Sequence, residues 1–371
     1  MKHIEVILLL AIIAGGISYY FWASPSDNST PPISPPPPPP PPPVTGEELR
    51  IGVISDIHYR PLEYGSRAEF GDQANINETL DLFIRDMRQF KPDFIIQLGD
   101  LADSWAPGGS QGSVPWPQYE ESLKKAMQKL REVGCPVYSV LGNHEAAEVI
   151  CQPDISFSKI MHITGQKDEW YSFTIKGHLI VVLFTGRQMS ADKTDLMITQ
   201  EQIDWFRQVM DSYTMPTIVF MHVPVDGWSP YKYDNPKNAE KIRQIIENDN
   251  DVLFCVYGHI HHHWDNAFRN IKNGVIYFHC PTPYVSTTSN QRWFSTQVRS
   301  PQWFRITLKP QENYWIVDNY NPDFGDWSGN YTQNEMFSAY YPECFPTVFI
   351  FSIERACLEK RKESVRKLSI F

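Results

Sequence analysis

Closely spaced cysteine pairs are missing from this sequence. It contains six cysteines: Cys135, Cys151, Cys255, Cys280, Cys344 and Cys357. None of them belongs to a C-x-x-C pair, so a structural zinc knuckle is not expected. An even number of cysteines permits disulfides in an exported protein, but the spacing selects no pairing.

An excess of basic residues is also lacking. The formal net charge is −10, which argues against general nucleic-acid binding because such binding needs a basic face. It does not argue against an anionic substrate, since bound metal cations can dominate a local field. We therefore expect no nucleic-acid partner.

The N-terminal segment is an apolar run from Val6 to Trp22, preceded by Lys2. At about 1.5 Å per residue it spans roughly 25 Å, the short end of a membrane helix. A signal peptide cut near Gly16 or Ser18 is the competing interpretation. Residues 1–24 are thus predicted to be a membrane anchor or a signal peptide. Both interpretations place the rest of the chain outside the cytoplasm, either membrane-anchored or secreted.

Residues 25–46 are predicted to be a proline-rich linker. Nine consecutive prolines begin at Pro35, and such a run adopts a polyproline II conformation that acts as a semi-rigid spacer. The main domain is expected over residues 47–320, followed by a C-terminal extension, 321–371. In that extension residues 353–371, where basic residues are in excess, are predicted to form a helix.

Within the main domain, apolar strands alternate with amphipathic helices, which indicates an α/β fold. Strands are predicted at 51–55, 93–98, 137–141, 217–220 and 252–256, and a hairpin at 170–184. Thr199 and Gln202 have the spacing of a capping box for the helix that follows. Shorter strands at 274–278, 303–308 and 314–317 are predicted to close a second sheet.

Residues of metal-ligand type follow five of these strands. They are Asp56 and His58, Asp100, Asn143 and His144, His222, and His259 and His261. Side chains at the carboxyl ends of strands meet in one crevice of an α/β sheet. Mixed carboxylate, imidazole and amide donors suit Mn, Fe or Zn, and their number predicts a site for two divalent or trivalent ions.

These motifs resemble those of the calcineurin-like metallophosphoesterases. The matches are Asp56-Ile57-His58, Gly99-Asp100, Gly142-Asn143-His144-Glu145, His222 and Gly258-His259-Ile260-His261. The resemblance implies a four-layer α-β-β-α sandwich of two mixed sheets flanked by helices. The layout looks most like the branch of class III cyclic nucleotide phosphodiesterases and ADP-ribose pyrophosphatases.

The resemblance also implies a distribution of the metal ligands. Asp56, His58, Asp100 and His261 would hold one ion, and Asp100, Asn143, His222 and His259 the other, with Asp100 bridging. Purple acid phosphatases carry a tyrosine ligand three residues after the bridging aspartate, whereas this chain has Asp103 there. A tyrosinate–iron site is therefore not expected.

Two catalytic residues and two substrate contacts are predicted in addition to the ligands. His144 is next to Asn143, and we expect its imidazole to protonate the leaving group as general acid; a purely structural role is the alternative. Glu145 is expected to orient His144 or a metal ligand. Arg60 and Arg187 could each bind a substrate phosphate or form an ordinary salt bridge. His262 and His263 are expected to face solvent.

The leading hypothesis is a metal-dependent phosphoesterase, a hydrolase acting on a small phosphorylated substrate outside the cytoplasm and attached to the membrane by its N-terminal segment. The alternative is a non-catalytic metal-binding or adhesion module on a proline-rich stalk. The residues do not identify the substrate, the metal, the oligomeric state or the role of residues 321–371.

Overall fold

The computed structural model describes residues 46–61, 64, 73–105, 112–190, 195–227, 235–261, 269–283, 301–320, 335–340 and 351–354. Only the backbone is described for 73–75, 269, 320, 335–340 and 351–354. The predicted N-terminal anchor, nearly all of the proline-rich linker, and His262 and His263 lie outside these ranges. Among the described helices, none combines the length and the apolar character needed to cross a membrane.

The described part of the chain contains six α-helices and thirteen strands. In chain order they are β1 (Leu49–Ile54), α1 (Gln73–Phe90), β2 (Phe94–Gln97), α2 (Trp116–Arg131), β3 (Val137–Ser139), α3 (Asn143–Cys151), α4 (Phe157–Thr164), β4 (Tyr171–Ile175), β5 (His178–Val182), α5 (Gln200–Ser212), β6 (Thr217–Phe220), α6 (Ala239–Glu247), β7 (Val252–Tyr257), β8 (Arg269–Lys272), β9 (Val275–His279), β10 (Trp303–Lys309), β11 (Tyr314–Tyr320), β12 (Glu335–Tyr340) and β13 (Phe351–Glu354).

The strands form two mixed sheets. The first has the order β13-β12-β11-β10-β1-β2-β3, in which β1, β2 and β3 run parallel. The second has the order β4-β5-β6-β7-β9-β8, in which β5, β6, β7 and β9 run parallel. Parallel neighbours end at the same edge, so the loops that follow them are brought together.

Three apolar clusters lie between four layers. The first contains the inward faces of both sheets, with Val53 and Ile96 from one sheet and Ile218 and Val256 from the other. The second packs α1 and α2 on the first sheet, and the third packs α5 and α6 on the second sheet. The predicted four-layer α-β-β-α fold is therefore confirmed.

The amphipathic stripe of α1 illustrates how the sequence builds a layer. Ile76, Leu80, Phe83 and Met87 recur at helical spacing, and all four are buried against the first sheet. Their spacing of three or four residues places them on one face of the helix.

The capping of α5 differs from the prediction. Thr199 accepts a hydrogen bond from the backbone N–H of Gln202, as expected. The side chain of Gln202 does not reach back to Thr199. Its Oε1 accepts from Phe184 N at 2.7 Å and its Nε2 donates to Phe184 O at 2.9 Å. Gln202 thus pairs with the backbone N–H and C=O of Phe184, just past the end of β5.

Two expectations about later elements are wrong. The strands predicted at 303–308 and 314–317 do not join the second sheet, because β10 pairs antiparallel with β1 in the first. The helix predicted over residues 353–371 is wrong at its start, where β13 pairs with β12. Both outcomes depend on which strands pair through their backbones, and the local sequence does not indicate that pairing. The remainder of that helix lies outside the described residues.

Candidate metal centre

The predicted ligands come together because strands of both sheets end at the same place. His58 N donates to Asp100 O at 2.9 Å, which joins the loops after β1 and β2. Gly258 N donates to His222 O at 3.0 Å, which joins the loops after β6 and β7. His259 N donates to the Asp56 carboxylate at 2.9 Å and links the two sheets.

Several of these loops have a left-handed backbone. Among the non-glycine residues that the structure describes, ten have positive φ, and five of the ten are predicted ligands: Asp56, His58, Asp100, His259 and His261. Their φ values lie between 43° and 70°. Such conformations cost about 1–3 kcal/mol each and persist where surrounding contacts impose them, commonly at functional sites.

The first donor group contains Asp56, His58, Asp100 and His261. One ligand atom from each lies within 4.8 Å of the others. His261 Nε2 is 3.1 Å from both Asp56 Oδ1 and His58 Nε2. These are the four residues that the resemblance to the family assigns to one ion.

The second donor group contains Asp100, His222 and His259, again within 4.8 Å. His222 Nε2 is 3.2 Å from Asp100 Oδ2 and 3.0 Å from Asn143 Oδ1, so the amide joins the same cluster. Nδ1 of His222 lies 2.7 Å from Leu98 O. Donation of its proton to that carbonyl leaves Nε2 directed at the cluster.

Burial and charge set the protonation of these groups. Burial favours the neutral carboxyl, but neighbouring histidines outweigh it and hold the pKa values of Asp56 and Asp100 below their usual range. Burial, together with His144 and His261, lowers the pKa of His58. Two carboxylates and a neutral imidazole therefore face one another in a buried space.

These donors fit metal ions. Metal–nitrogen bonds of about 2.0–2.1 Å put adjacent ligands of one ion roughly 3 Å apart, which matches the spacing of His58, His261 and Asp56. The ionised carboxylates of Asp56 and Asp100 and the neutral imidazole of His58 are also in the protonation states that a metal requires. Asp100, present in both groups, is placed to contact two ions.

His144 and Glu145 lie beside the two groups, at the start of α3. His144 Nε2 is 3.7 Å from Asp100 Oδ2, and its ring packs edge-on against His58 at 4.5 Å. The Glu145 carboxylate accepts from Gly142 N, Asp100 N and Leu101 N at 2.7–3.0 Å. Glu145 therefore orients the loop that carries Asp100.

Glycines permit the close approach of these loops. A Cβ atom on Gly258 would lie 1.9 Å from Ser55 Oγ and 2.6 Å from Asp56 Oδ2. A Cβ atom on Gly142 would lie 2.1 Å from Asp100 Oδ1. A side chain at either position would force neighbouring atoms of the site to shift.

The two arginines have protein partners. Arg60 is 2% exposed, its Nη2 donates to Trp105 O at 2.7 Å, and its Nη1 lies 3.4 Å from Asp103 Oδ2. Arg187 forms an ion pair with Glu169. The guanidinium of Arg187 also lies over the rings of Phe157 and Phe184, at 4.9 and 5.1 Å from their centroids. Substrate contact by either arginine stays a prediction.

Two hydroxyl groups at the site were not predicted from the sequence. Ser55 Oγ donates to Asp56 Oδ2 at 2.5 Å, and Ser104 Oγ lies 2.8 Å from His144 Nδ1. Both serines are fully buried. Adjacency to Asp56 was a usable signal for Ser55, whereas the contact between Ser104 and His144 joins the loop after β2 to the start of α3 and leaves no signal in the sequence.

Comparisons with known proteins agree with this fold. A probable cyclic nucleotide phosphodiesterase of Synechococcus sp. is 22% identical over 199 residues, covering 53% of this chain and 66% of the relative. This chain thus spans just under two thirds of that relative. A dimetal phosphatase from Danio rerio has a similar fold, with a TM-score of 0.55 and 15% identity over 74% of this chain and 96% of that one.

A family model described as calcineurin-like phosphoesterase matches residues 49–263, which is more than half of the chain. The matched range begins at β1, contains every predicted ligand and ends just after His261. This chain therefore belongs to the calcineurin-like phosphoesterase family, a family of hydrolases.

Proposed function

We propose that this chain hydrolyses a phosphoester bond in a small phosphorylated compound, using two metal ions of the Mn, Fe or Zn type. The observation that carries the proposal is the position of Asp100, whose carboxylate belongs to both donor groups. A carboxylate shared by two such groups is the arrangement that a two-metal hydrolytic site requires.

When bound, two neighbouring cations stabilise the negative charge of a phosphoester and lower the pKa of a coordinated water. Within the chain, Asp56, His58, Asp100 and His261 would hold one ion, and Asp100, Asn143, His222 and His259 the other. His144, whose Nε2 is directed at the shared Asp100, is placed to give a proton to the leaving alkoxide.

We place this reaction outside the cytoplasm. The support is the N-terminal sequence, in which Lys2 precedes an apolar run that ends in aromatic residues. An intracellular second messenger is then a poor candidate substrate. Cyclic nucleotides nevertheless belong in the substrate panel, because the Synechococcus relative is described as a probable cyclic nucleotide phosphodiesterase. Protease added to intact cells should digest the main domain; a protected domain would contradict this location.

Activity is tested with the purified full-length chain. It is stripped of metal, reloaded with Mn²⁺, Fe²⁺ or Zn²⁺, and assayed with 4-nitrophenyl phosphate, bis(4-nitrophenyl) phosphate and cyclic nucleotides. We expect turnover and two ions per chain by elemental analysis. The absence of turnover with every metal would overturn the proposal.

Asp100→Asn should remove both ions and all turnover. The matched control is Asp93→Asn, since Asp93 precedes β2 at the opposite end of the strand and pairs with Lys176 at 2.6 Å. The alternative, a non-catalytic metal-binding module, predicts two ions without turnover, and His144→Ala would then change nothing measurable. If the chain is an enzyme, His144→Ala should keep both ions and lose turnover of esters with an alkoxide leaving group, such as cyclic nucleotides.

A further inference from the structure

We propose that Ser104 is a positioning residue for His144. This inference rests on the proposed function, because it concerns how the predicted general acid is held. Ser104 Oγ lies 2.8 Å from His144 Nδ1, and the opposite ring nitrogen, Nε2, faces Asp100 Oδ2 at 3.7 Å. A partner on Nδ1 fixes the rotation of the ring and reserves Nε2 for the substrate.

Ser104 is suited to this role because its position is well defined. It is fully buried, and its carbonyl oxygen accepts hydrogen bonds from Gly112 N at 2.9 Å and Ser113 N at 3.1 Å. These bonds fix the backbone of Ser104 to the segment before α2. The backbone of His144 is fixed as well, by donation from its N–H to Asp100 Oδ1 at 2.9 Å. The backbone of His144 and the Nδ1 side of its ring thus both have a fixed partner.

Asp103 is the other candidate partner of this ring. Its carboxylate lies within 4.8 Å of ligand atoms of His58 and His144. However, its Oδ2 faces Arg60 Nη1 at 3.4 Å, and its Oδ1 accepts from Trp105 N at 3.2 Å. Asp103 thus has contacts with Arg60 and Trp105, and the short contact at 2.8 Å with His144 Nδ1 comes from Ser104.

The role predicts a specific dependence on the leaving group. Protonation by a positioned side chain matters for an alkoxide leaving group and hardly at all for 4-nitrophenolate, which is stable as an anion. Misplacing the ring should therefore slow alkyl esters selectively. A residue that only supports the fold would slow both kinds of substrate alike.

The kinetic test compares Ser104→Ala, Ser104→Thr and wild type, using the metal-loaded full-length chain with a methyl ester and a 4-nitrophenyl ester of the same phosphate. General-acid catalysis contributes about 10²–10⁴-fold, so Ser104→Ala should lower kcat for the methyl ester by at least about tenfold. KM, and kcat for the 4-nitrophenyl ester, should stay within about twofold. Ser104→Thr, which keeps the hydroxyl, should restore most of the loss.

Two further variants test whether Ser104 acts through His144. Ser104→Ala combined with His144→Ala should be no slower than His144→Ala alone, because the serine acts through the histidine. The matched control is Ser122→Ala, which removes another buried serine hydroxyl, one bonded to Gln118 O within α2, and should leave the ratio of the two esters unchanged.

A second measurement does not depend on turnover. In ¹⁵N spectra of the metal-free full-length chain, His144 should show a single ring tautomer that becomes a mixture in Ser104→Ala. Equal slowing of both esters, or a selective loss in Asp103→Asn but not in Ser104→Ala, would overturn the inference. If wild type has no turnover, the proposed function fails, and an unchanged ¹⁵N spectrum in Ser104→Ala would separately refute the positioning role.

Discussion

Nε2 of His58 lies 3.1 Å from Nε2 of His261, although 203 residues separate the two histidines along the chain. Burial and the nearby rings of His144 and His261 lower the pKa of His58, so this ring is neutral. Two imidazole nitrogens at this distance need a proton or a cation between their lone pairs. In the metal-free chain one N–H of one ring must bridge the two nitrogens, whereas a bound cation would take up both lone pairs.

Metal should therefore stabilise the fold as well as support turnover. Binding to the folded state alone contributes about 2.7 kcal/mol when the free ion is about 100 times its Kd. We expect the midpoint of thermal unfolding to rise with added Mn²⁺ and to fall with a chelator. His261→Ala should reduce this shift, whereas His162→Ala, on the exposed side of α4, should retain it. The same unfolding midpoint with and without metal would contradict a metal site that stabilises the fold.

The grouping of the candidate ligands could be predicted, because each follows an apolar strand and belongs to a motif of the family. Their backbone conformation could not be, since positive φ at His58 or His261 reflects contacts between loops that are distant in sequence. The same limit explains β10. Its pattern predicts a strand, but only pairing with β1 assigns it to the first sheet. Ser104 was missed for the same reason.

Glu145 should contribute more to stability than an ordinary surface carboxylate. Glu145→Ala leaves the buried N–H groups of Gly142, Asp100 and Leu101 without their acceptor. Each unsatisfied group costs about 1–3 kcal/mol, so we expect a loss of at least about 3 kcal/mol in the free energy of unfolding. Glu145→Gln keeps one acceptor oxygen, so its free energy of unfolding should fall by less.

Urea unfolding and metal content measure both effects of Glu145. Because Asp100 belongs to both donor groups, a displaced Asp100 loop should weaken both ions together. Loss of one ion with the other retained would show that Glu145 does not act through Asp100. Glu120→Ala, on the exposed face of α2, serves as the control.

Gly258→Ala tests the close approach of the two sheets at the centre. The added methyl group would meet Ser55 Oγ and Asp56 Oδ2 well inside contact distance, so the loop after β7 must move. We expect weaker metal binding and a fall in kcat, because the loop carries His259 and His261. Gly134→Ala provides the comparison: its φ is +91° but no atom lies within 4 Å of the added carbon, so it should lower stability and leave metal binding unchanged.

The last prediction concerns Glu148, a buried carboxyl on α3 that the proposed chemistry does not use. Burial raises its pKa from 4.5 to about 9, and among the described residues its Oε1 has no hydrogen-bond partner. Between these two values the folded state holds a proton that the unfolded state releases. The contribution of Glu148 to stability is therefore fully present below about pH 4.5 and declines as pH rises towards 9.

Glu148→Gln should remove that decline, because a neutral amide does not titrate. One such group changes the free energy of unfolding by at most about 1.4 kcal/mol per pH unit. We expect the variant and wild type to have similar free energies of unfolding at pH 5, and the variant to be the more stable at pH 8. Urea unfolding at several pH values measures this, with the exposed Glu78→Gln as control. Parallel curves for Glu148→Gln and wild type would mean that Glu148 is already ionised in the folded protein.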